Sequence, residues 1–490
     1  MMIHLATLPR QVYFFCCFLL LLEACGLSTP QFVEPPVVVS HPKVPQLALL
    51  RFTADEPVRA LIKMTDGHYT WDIHPPGLYK QKMEIPFFQL RPATEYRFTV
   101  QMIDTRKNIA PPYDREVVYR SPDLPVDFPQ YELPLLLAAQ REPGFNLLSI
   151  TDERSLPEGP IRHWLIVLDR EGRVMWYTPT EEALYELRHC RGGTVIGRTE
   201  SGRLLELDWR AEVRRTFVAA RTGTPGEIVQ RPVGEWGVMG LATTSRRTYL
   251  VLGTDTLRME GAGGTVGEDL PAGVLTEFRQ SGRVVRRWPL GDYVPAGDSL
   301  SRNAHYTAVD IDEREGLVYA LSTEASTLLA LDWQGDSLRW VLGPSAGDRP
   351  AEQPWLLRGE DWDLARPRTF RATPYHSLLF VDQPLGAASA RLWECEIDAE
   401  GGRYRKIWSY DPPDSLRFQA ATRATVARLP RTENVLYSGL RRDAQGERGM
   451  IAELTHDSIP QPLLQLLFAP KQRLNGLLHL PDLRMKMEGE

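Results

Sequence analysis

The stretch HWLIVLDREGRVMW, residues 163–176, is an apolar run, a polar turn carrying Asp169 and Gly172, and a second short run closed by a tryptophan. STLLALDWQGDSLRW, residues 326–340, repeats that shape with Asp332, Gly335 and Trp340 in the corresponding places. Each reads as strand, turn and strand, a β-hairpin. The same grammar recurs in GRLLELDWRAEVRRTF (202–217), GVLTEFRQSGRVVRRW (273–288) and ARLWECEIDAEGGRYRKIW (390–408), and more loosely in GMIAELTHDSIPQPLLQLLF (449–468). Short apolar segments such as TYLVLGT, GLVYALS, SLLFVDQ and NVLYSGL lie before or after these hairpins and supply inner strands. One four-stranded sheet cannot bury both of its faces alone, but six set radially bury each against its neighbours. Residues 125–490 are therefore expected to form a six-bladed β-propeller. PQYELPLLLAAQR (129–141) and NGLLHLPDL (475–483) are the segments able to close the ring.

Composition points the same way. With 39 prolines and 37 glycines in 490 residues, long helices are excluded and an all-β chain of short strands and turns is favoured. The length accommodates two or three domains. Lys and Arg total 57 against 63 Asp and Glu, a net charge of −6, which argues against nucleic acid as a partner because phosphate binding needs a concentrated basic face.

The N-terminus reads as an address. QVYFFCCFLLLL (11–22) follows Arg10; it is too short to span a bilayer, which takes about 20 apolar residues, and suits a signal-peptide core. It ends in Leu22-Glu23-Ala24-Cys25-Gly26, which resembles the lipobox of bacterial lipoproteins, in which the cysteine is acylated and becomes the mature N-terminus. Residues 1–24 are then a signal peptide and residues 25–37 a lipidated Cys25 with a Pro-rich tether. The mature chain would lie outside the cytoplasm, held by lipid in the cell envelope at the outer membrane or in the periplasm. Once Cys16 and Cys17 are cleaved away and Cys25 is lipidated, only Cys190 and Cys395 remain. No Cys/His spacing resembles a zinc site, so no metal and no cofactor is expected.

Residues 38–124 read as a further β domain. In LRPATEYRFTV (90–100), Tyr96, Phe98 and Val100 alternate with polar residues, so one face is buried. The pattern resembles a fibronectin type III β-sandwich, in which a turn leads into a strand bearing a core tyrosine. The whole chain is accordingly expected to be all-β, an N-terminal fibronectin-III-like β-sandwich followed by the propeller.

The stretch NAHYTAVD (303–310), followed by GLVYALS and LLALDWQGDSLRWVLGP, resembles the bacterial arylsulfate sulfotransferases, as do ITDE, IVLDREGRVMWY and WSYDPPDS elsewhere. Members of that family are exported six-bladed propellers with a small N-terminal β-sandwich. The resemblance implies a central channel in which a histidine takes a sulfuryl group from a phenol sulfate and passes it to an acceptor phenol, while other histidines and an arginine hold the sulfate oxygens. His305 matches a family histidine. Thr307 stands where the family has asparagine, Thr323 where it has arginine, and Arg368 where it has the nucleophilic histidine. The segment Trp236–Leu241, matching a paired-histidine motif, contains no histidine.

Loss of a covalent nucleophile costs on the order of 10⁶ in rate where the catalytic groups act as a unit. Arginine is no replacement, because its guanidinium stays protonated below pH of about 12. The chain therefore reads as a catalytically degenerate propeller that serves as a binding or assembly module rather than an enzyme. The alternative is an active arylsulfate sulfotransferase working through a sulfohistidine on a relocated nucleophile, with His305 or His376 as the candidates. Arg302, Arg366, Arg368 and Arg371 are candidate anion contacts at the channel, against the plainer reading that they alternate to solvent on a strand. The partners expected are the membrane through Cys25, a protein of the cell envelope, and an anionic or aromatic small molecule.

Overall fold

All six hairpins become the third and fourth strands of successive sheets in a computed structural model of the chain. It describes residues 29–75, 77–154, 161–217, 240–260, 266–293, 305–335, 337–343, 356–357, 367–384, 386–420 and 424–482. Side chains are described except within 254–272 and at 356–357. Cys25 and the expected signal peptide lie outside the described residues.

Beyond the N-terminal unit, six sheets of four or five strands follow one another along the chain. Their innermost strands are Gln472–Leu480 in blade 1, Leu184–His189 in blade 2 and Gly240–Thr243 in blade 3. Ala308–Asp312, Pro367–Ala372 and Thr425–Arg428 take that place in blades 4, 5 and 6. The sheets form a ring because each buries a face against the next. Leu147, Leu165 and Trp176 of blade 1 pack on Leu184, Val195 and Leu207 of blade 2. Ile196 and Phe217 of blade 2 pack on Tyr249 and Phe278 of blade 3. Trp288 of blade 3 meets Val318 and Leu329 of blade 4, and Trp340 of blade 4 meets Phe370 and Phe380 of blade 5. Trp408 of blade 5 packs with Tyr437 of blade 6, and Ile451 and Leu464 of blade 6 return to Leu148 and Trp164 of blade 1. The chain is a β-propeller.

Closure uses the two segments singled out in the sequence. Gln472–Leu480, from the end of the chain, becomes the innermost strand of blade 1, paired with Phe145–Asp152. Tyr131–Leu136 adds a fifth strand to the outer edge of blade 6 beside Pro462–Phe468. First and last blades are thus stitched in both directions, so neither can open without breaking a strand ladder.

The N-terminal unit departs from two separate sheets. Its strands form one six-stranded sheet organised on the 18-residue strand Ala48–Thr65. The first half of that strand pairs with Phe32–Ser40 and Lys80–Phe87, and the second half with Glu95–Asp104 and Thr70–Ile73. The register shifts between Thr53 and Val58, around Pro57, let one strand serve both halves and enclose a core of Phe52, Phe87, Tyr96 and Phe98. The first strand begins at Phe32, inside the range read as tether. Val44 and Leu47 carry the unit's contact with the propeller, entering the cluster between blades 1 and 2.

A second layer of contacts between blades is polar. The third strands of four blades carry a glutamate, Glu206, Glu277, Glu394 and Glu453, at matching positions and only 1–5% exposed. Each carboxylate accepts a hydrogen bond from a Thr, Ser or Asn where the second strand begins: Thr194, Thr248, Ser377 and Asn434. Three accept another from the following blade: Tyr249 Oη on Glu206 (2.8 Å), Trp333 Nε1 on Glu277 (3.2 Å), and Arg428 Nη1 with His456 Nε2 on Glu394 (2.8 and 2.7 Å). Glu453 instead takes Arg141 Nε and the Glu142 backbone N–H, both at 2.8 Å, from the segment that leads into blade 1. Buried charge is tolerated here because every carboxylate is fully engaged. Val167 and Ala330 hold the same position in blades 1 and 4.

Candidate anion site in the propeller channel

Innermost strands of a propeller converge on its axis, so the side chains they do not bury between blades face one another and the channel. Here they enclose a cavity of about 290 Å³ at the end where these strands begin. A second cavity, of about 240 Å³, lies toward the end where they finish. Arg188, Arg371, Thr425 and Leu477 line both cavities and so surround the constriction where the two adjoin. The two arginines come from blades 2 and 5, on opposite sides of the ring.

The strand bearing Arg188 is irregular. Pairing steps from Tyr185–Arg198 to Arg188–Ile196, so Glu186 and Leu187 together oppose Gly197. Glu186 takes a left-handed backbone, φ 50°, as a bulge allows. Gly197 makes room for the bulge, since a Cβ there would stand 3.0 Å from Leu187 Cδ2. Glu186 Oε2 accepts the backbone N–H of Leu241 at 2.6 Å, tying blade 2 to blade 3. Asp310 does the same two interfaces on, between blades 4 and 5, where its Oδ2 accepts the N–H of Ala372 at 3.0 Å.

Charge in this lining is not balanced pair by pair. Arg371 Nη1 lies 3.6 Å from Asp310 Oδ1. Arg198 lies over the Tyr185 ring, 5.1 Å from its centroid, and its buried Nε has no hydrogen-bond partner. Arg188 is 9% exposed; its Nη1 reaches only the carbonyl of Leu187, at 3.2 Å, and its Nε is buried without a partner. Burial, reinforced by the Arg371 charge, pushes the Arg188 guanidinium down to about 9 against the opposing pull of Asp310 and Glu186. It still carries a full charge at neutral pH. Burial pushes the Glu186 carboxyl up, while Arg198, Arg188, the Leu241 N–H and Arg371 pull it down; the net direction is up. A buried guanidinium with an idle donor is costly unless an anion completes it.

Of the residues singled out by sequence, Arg368 and Arg371 line the first cavity. Arg302 and Arg366 lie outside the described residues. His305 is exposed, two positions before Thr307, which does line the cavity. His376 is in the turn between the first and second strands of blade 5, with φ 62° and its Nδ1 3.2 Å from Asp312 Oδ2 and 3.5 Å from Glu315 Oε1. That turn is not part of either cavity lining. Thr307, Thr323 and Arg368, the positions where this chain departs from the sulfotransferase pattern, all line one cavity, with Thr307 Oγ1 and Thr323 Oγ1 3.5 Å apart. No histidine lines that cavity among the described residues; His479 lines the second, its Nδ1 3.2 Å from Asn146 Oδ1.

Sequence reasoning did not single out Glu186, Arg188 and Arg198. They lie in YELRHCRGGTVIGRTE (185–200), whose density of charge on an inner strand was the available signal. The two cysteines are buried free thiols in different interfaces, between blades 2 and 3 and between blades 4 and 5. Burial pushes the Cys190 thiol up to about 12 and that of Cys395 higher still, which leaves neither as a nucleophile at neutral pH.

No protein-family model matches the chain, and no curated protein matches its sequence. Among solved structures it is similar to hydrazine synthase from Kuenenia stuttgartiensis, with TM-score 0.35 and 10% identity over 58% of this chain and 66% of that one. It is also similar to BamB from Moraxella catarrhalis, with TM-score 0.27 and 12% identity over 76% and 91%. Dihydro-heme d1 dehydrogenase NirN in complex with DHE gives TM-score 0.35 and 12% identity over 73% and 83%. Likeness at this level assigns no activity. The resemblance to arylsulfate sulfotransferases rests on the sequence motifs alone, and the propeller on its ring of sheets.

Proposed function

We propose that this protein is an exported, lipid-anchored binding module whose propeller channel takes one small oxyanion, a sulfate, sulfate ester or carboxylate, without transferring it. The observation that carries this reading is Arg188, buried at the constriction with an idle donor and facing a second arginine across the channel. Guanidinium forks match planar or tetrahedral oxyanions, and a low-dielectric wall strengthens the pairing. Against transfer stand Arg368 at the expected nucleophile position and the lack of a histidine lining the first cavity among the described residues. The anchor rests on Cys25 and the apolar run before it. The N-terminal unit is read as a fibronectin-III-like spacer; in support, Tyr96 Oη accepts the backbone N–H of Arg91 at 2.7 Å, the tyrosine-corner contact of such domains.

The test is to mix the protein with 4-nitrophenyl sulfate and excess phenol, following binding by calorimetry and nitrophenol release by absorbance. Binding without release above the buffer rate is expected. Turnover that His305→Ala or His376→Ala abolishes would establish the sulfotransferase instead.

A further inference from the structure

Between blades 3 and 4, away from the channel, lies a cleft of about 660 Å³. No residue lines both it and either channel cavity. Its walls are the turn Thr244–Thr248, the turn Arg279–Arg283 and the blade-4 turn that contains Trp333. Arg246, Arg247, Arg279 and Arg286 line it, against one carboxylate, Glu277. Glu277 is buried and engaged, Oε1 by Thr248 Oγ1 at 2.5 Å and Oε2 by Trp333 Nε1 at 3.2 Å.

Two acids described in the adjoining turns are also committed. Asp332 accepts the N–H groups of Gln334 and Gly335 and pairs with Arg339, and Glu313 takes the N–H and hydroxyl of Ser245. Arg286 is fixed in place by donating to the carbonyls of Trp333 and Gly335, at 2.7 and 2.6 Å. Arg246 holds its guanidinium 4.2 Å from the centroid of the Trp333 ring. Arg246, Arg247 and Arg279 are exposed. Three solvent-facing guanidinia stand around one cleft with no free acid lining it among the described residues, and they repel one another in a chain whose net charge is −6.

We propose that this cleft docks an acidic polypeptide segment, one that presents at least two carboxylates to Arg246, Arg247 and Arg279. The volume is many times that of a single oxyanion, so the occupant is a chain rather than an ion. The remaining lining includes Gln280, Ser281 and Gln334, side chains that pair with peptide N–H and C=O groups. A single-stranded nucleic acid is disfavoured because its bases stack on exposed aromatic faces. The one ring here, Trp333, is 4% exposed and already covered by Arg246.

The experiment is fluorescence anisotropy of labelled poly-L-glutamate with the full chain, at low and physiological salt, and with heparin as competitor. Arg247→Glu with Arg279→Glu changes two exposed side chains and is checked for folding by its circular dichroism and melting curve. The docking site predicts saturable poly-L-glutamate binding that weakens with salt, drops at least tenfold in the double variant and is unchanged in Arg188→Ala. Absence of binding, equal binding by the folded double variant, or heparin binding more tightly than poly-L-glutamate at the same site would overturn it. The unchanged Arg188→Ala variant separates this outcome from that of the channel.

Discussion

Arg188 and Arg371 meet at one constriction from opposite sides of the ring, and of the two only Arg371 has a carboxylate oxygen within 4 Å among the described residues, Asp310 at 3.6 Å. Two cations in a narrow low-dielectric channel repel each other, and the arrangement persists only because the surrounding strands fix both. The ring closure described above does that fixing. An anion between them would relieve the repulsion and satisfy the idle Arg188 donor at once.

Glu186 is the built-in competitor for that anion. Its carboxyl titrates above the ordinary value of 4.5 because burial disfavours its charged form. Protonated, it leaves the arginines free; ionised, it neutralises them. Sulfate affinity is therefore expected to be greatest at low pH and to fall as pH rises through the raised Glu186 value. Glu186→Gln, which keeps an acceptor for the Leu241 N–H, should bind more tightly above that value and lose the fall. Calorimetric titrations between pH 4.5 and 8 check this; a wild-type profile that the variant leaves unchanged contradicts it.

Glu394 provides the stability counterpart. Burial pushes its carboxyl up, but hydrogen bonds from His456 and Ser377 and the charge of Arg428 outweigh it, so the net shift is down. A depressed carboxylate contributes stability that is present above its unfolded value of about 4.3 and is lost as pH falls through the lower folded value. Glu394→Ala leaves the buried Arg428 with Glu433 alone and the half-buried His456 without its carboxylate, and should cost about 3 kcal/mol at neutral pH. Urea unfolding at pH 7 measures it, and a loss below about 1 kcal/mol would remove the carboxylate from its place as cement between blades 5 and 6.

Gly144 tests the closure. It has φ 126°, and a Cβ there would collide with the carbonyl oxygen of Leu480 on the closing strand. Gly144→Ala should cost about 1–3 kcal/mol from the backbone region and a comparable amount from overlap. Protection of the Gln472–Leu480 amides from hydrogen exchange should fall with it. Unchanged protection in that strand would mean that the terminal strand is not what holds the ring shut.

Much of the propeller was legible because its signal is an apolar run, a polar turn and a second run, repeated in every outer hairpin from His163–Trp176 onward. The closing segments were legible as further apolar runs. The 18-residue strand Ala48–Thr65 was not legible because alternation does not distinguish two strands from one bent strand, and it bends near Pro57 while pairing on both sides. The buried glutamates escaped because a charged residue in a strand ordinarily marks the wet face; the recurring LLEL, LTEF, LWEC and IAEL fragments carried the signal. Arg188 escaped because the bulge at Glu186 and Leu187 breaks the two-residue period that assigns faces. Of the arginines named from sequence, Arg368 and Arg371 line the channel, yet their partners come from blades about 180 residues away, which no local pattern connects.

The oxyanion site at the channel constriction is probed most directly by calorimetric titration of the folded full chain with sodium sulfate. The expected result is one site per chain, weakened at least tenfold by Arg188→Ala and by Arg371→Ala and unaffected by Arg247→Glu. Equal sulfate affinity in wild type and a folded Arg188→Ala variant, or no sulfate binding by the folded wild type, would contradict it.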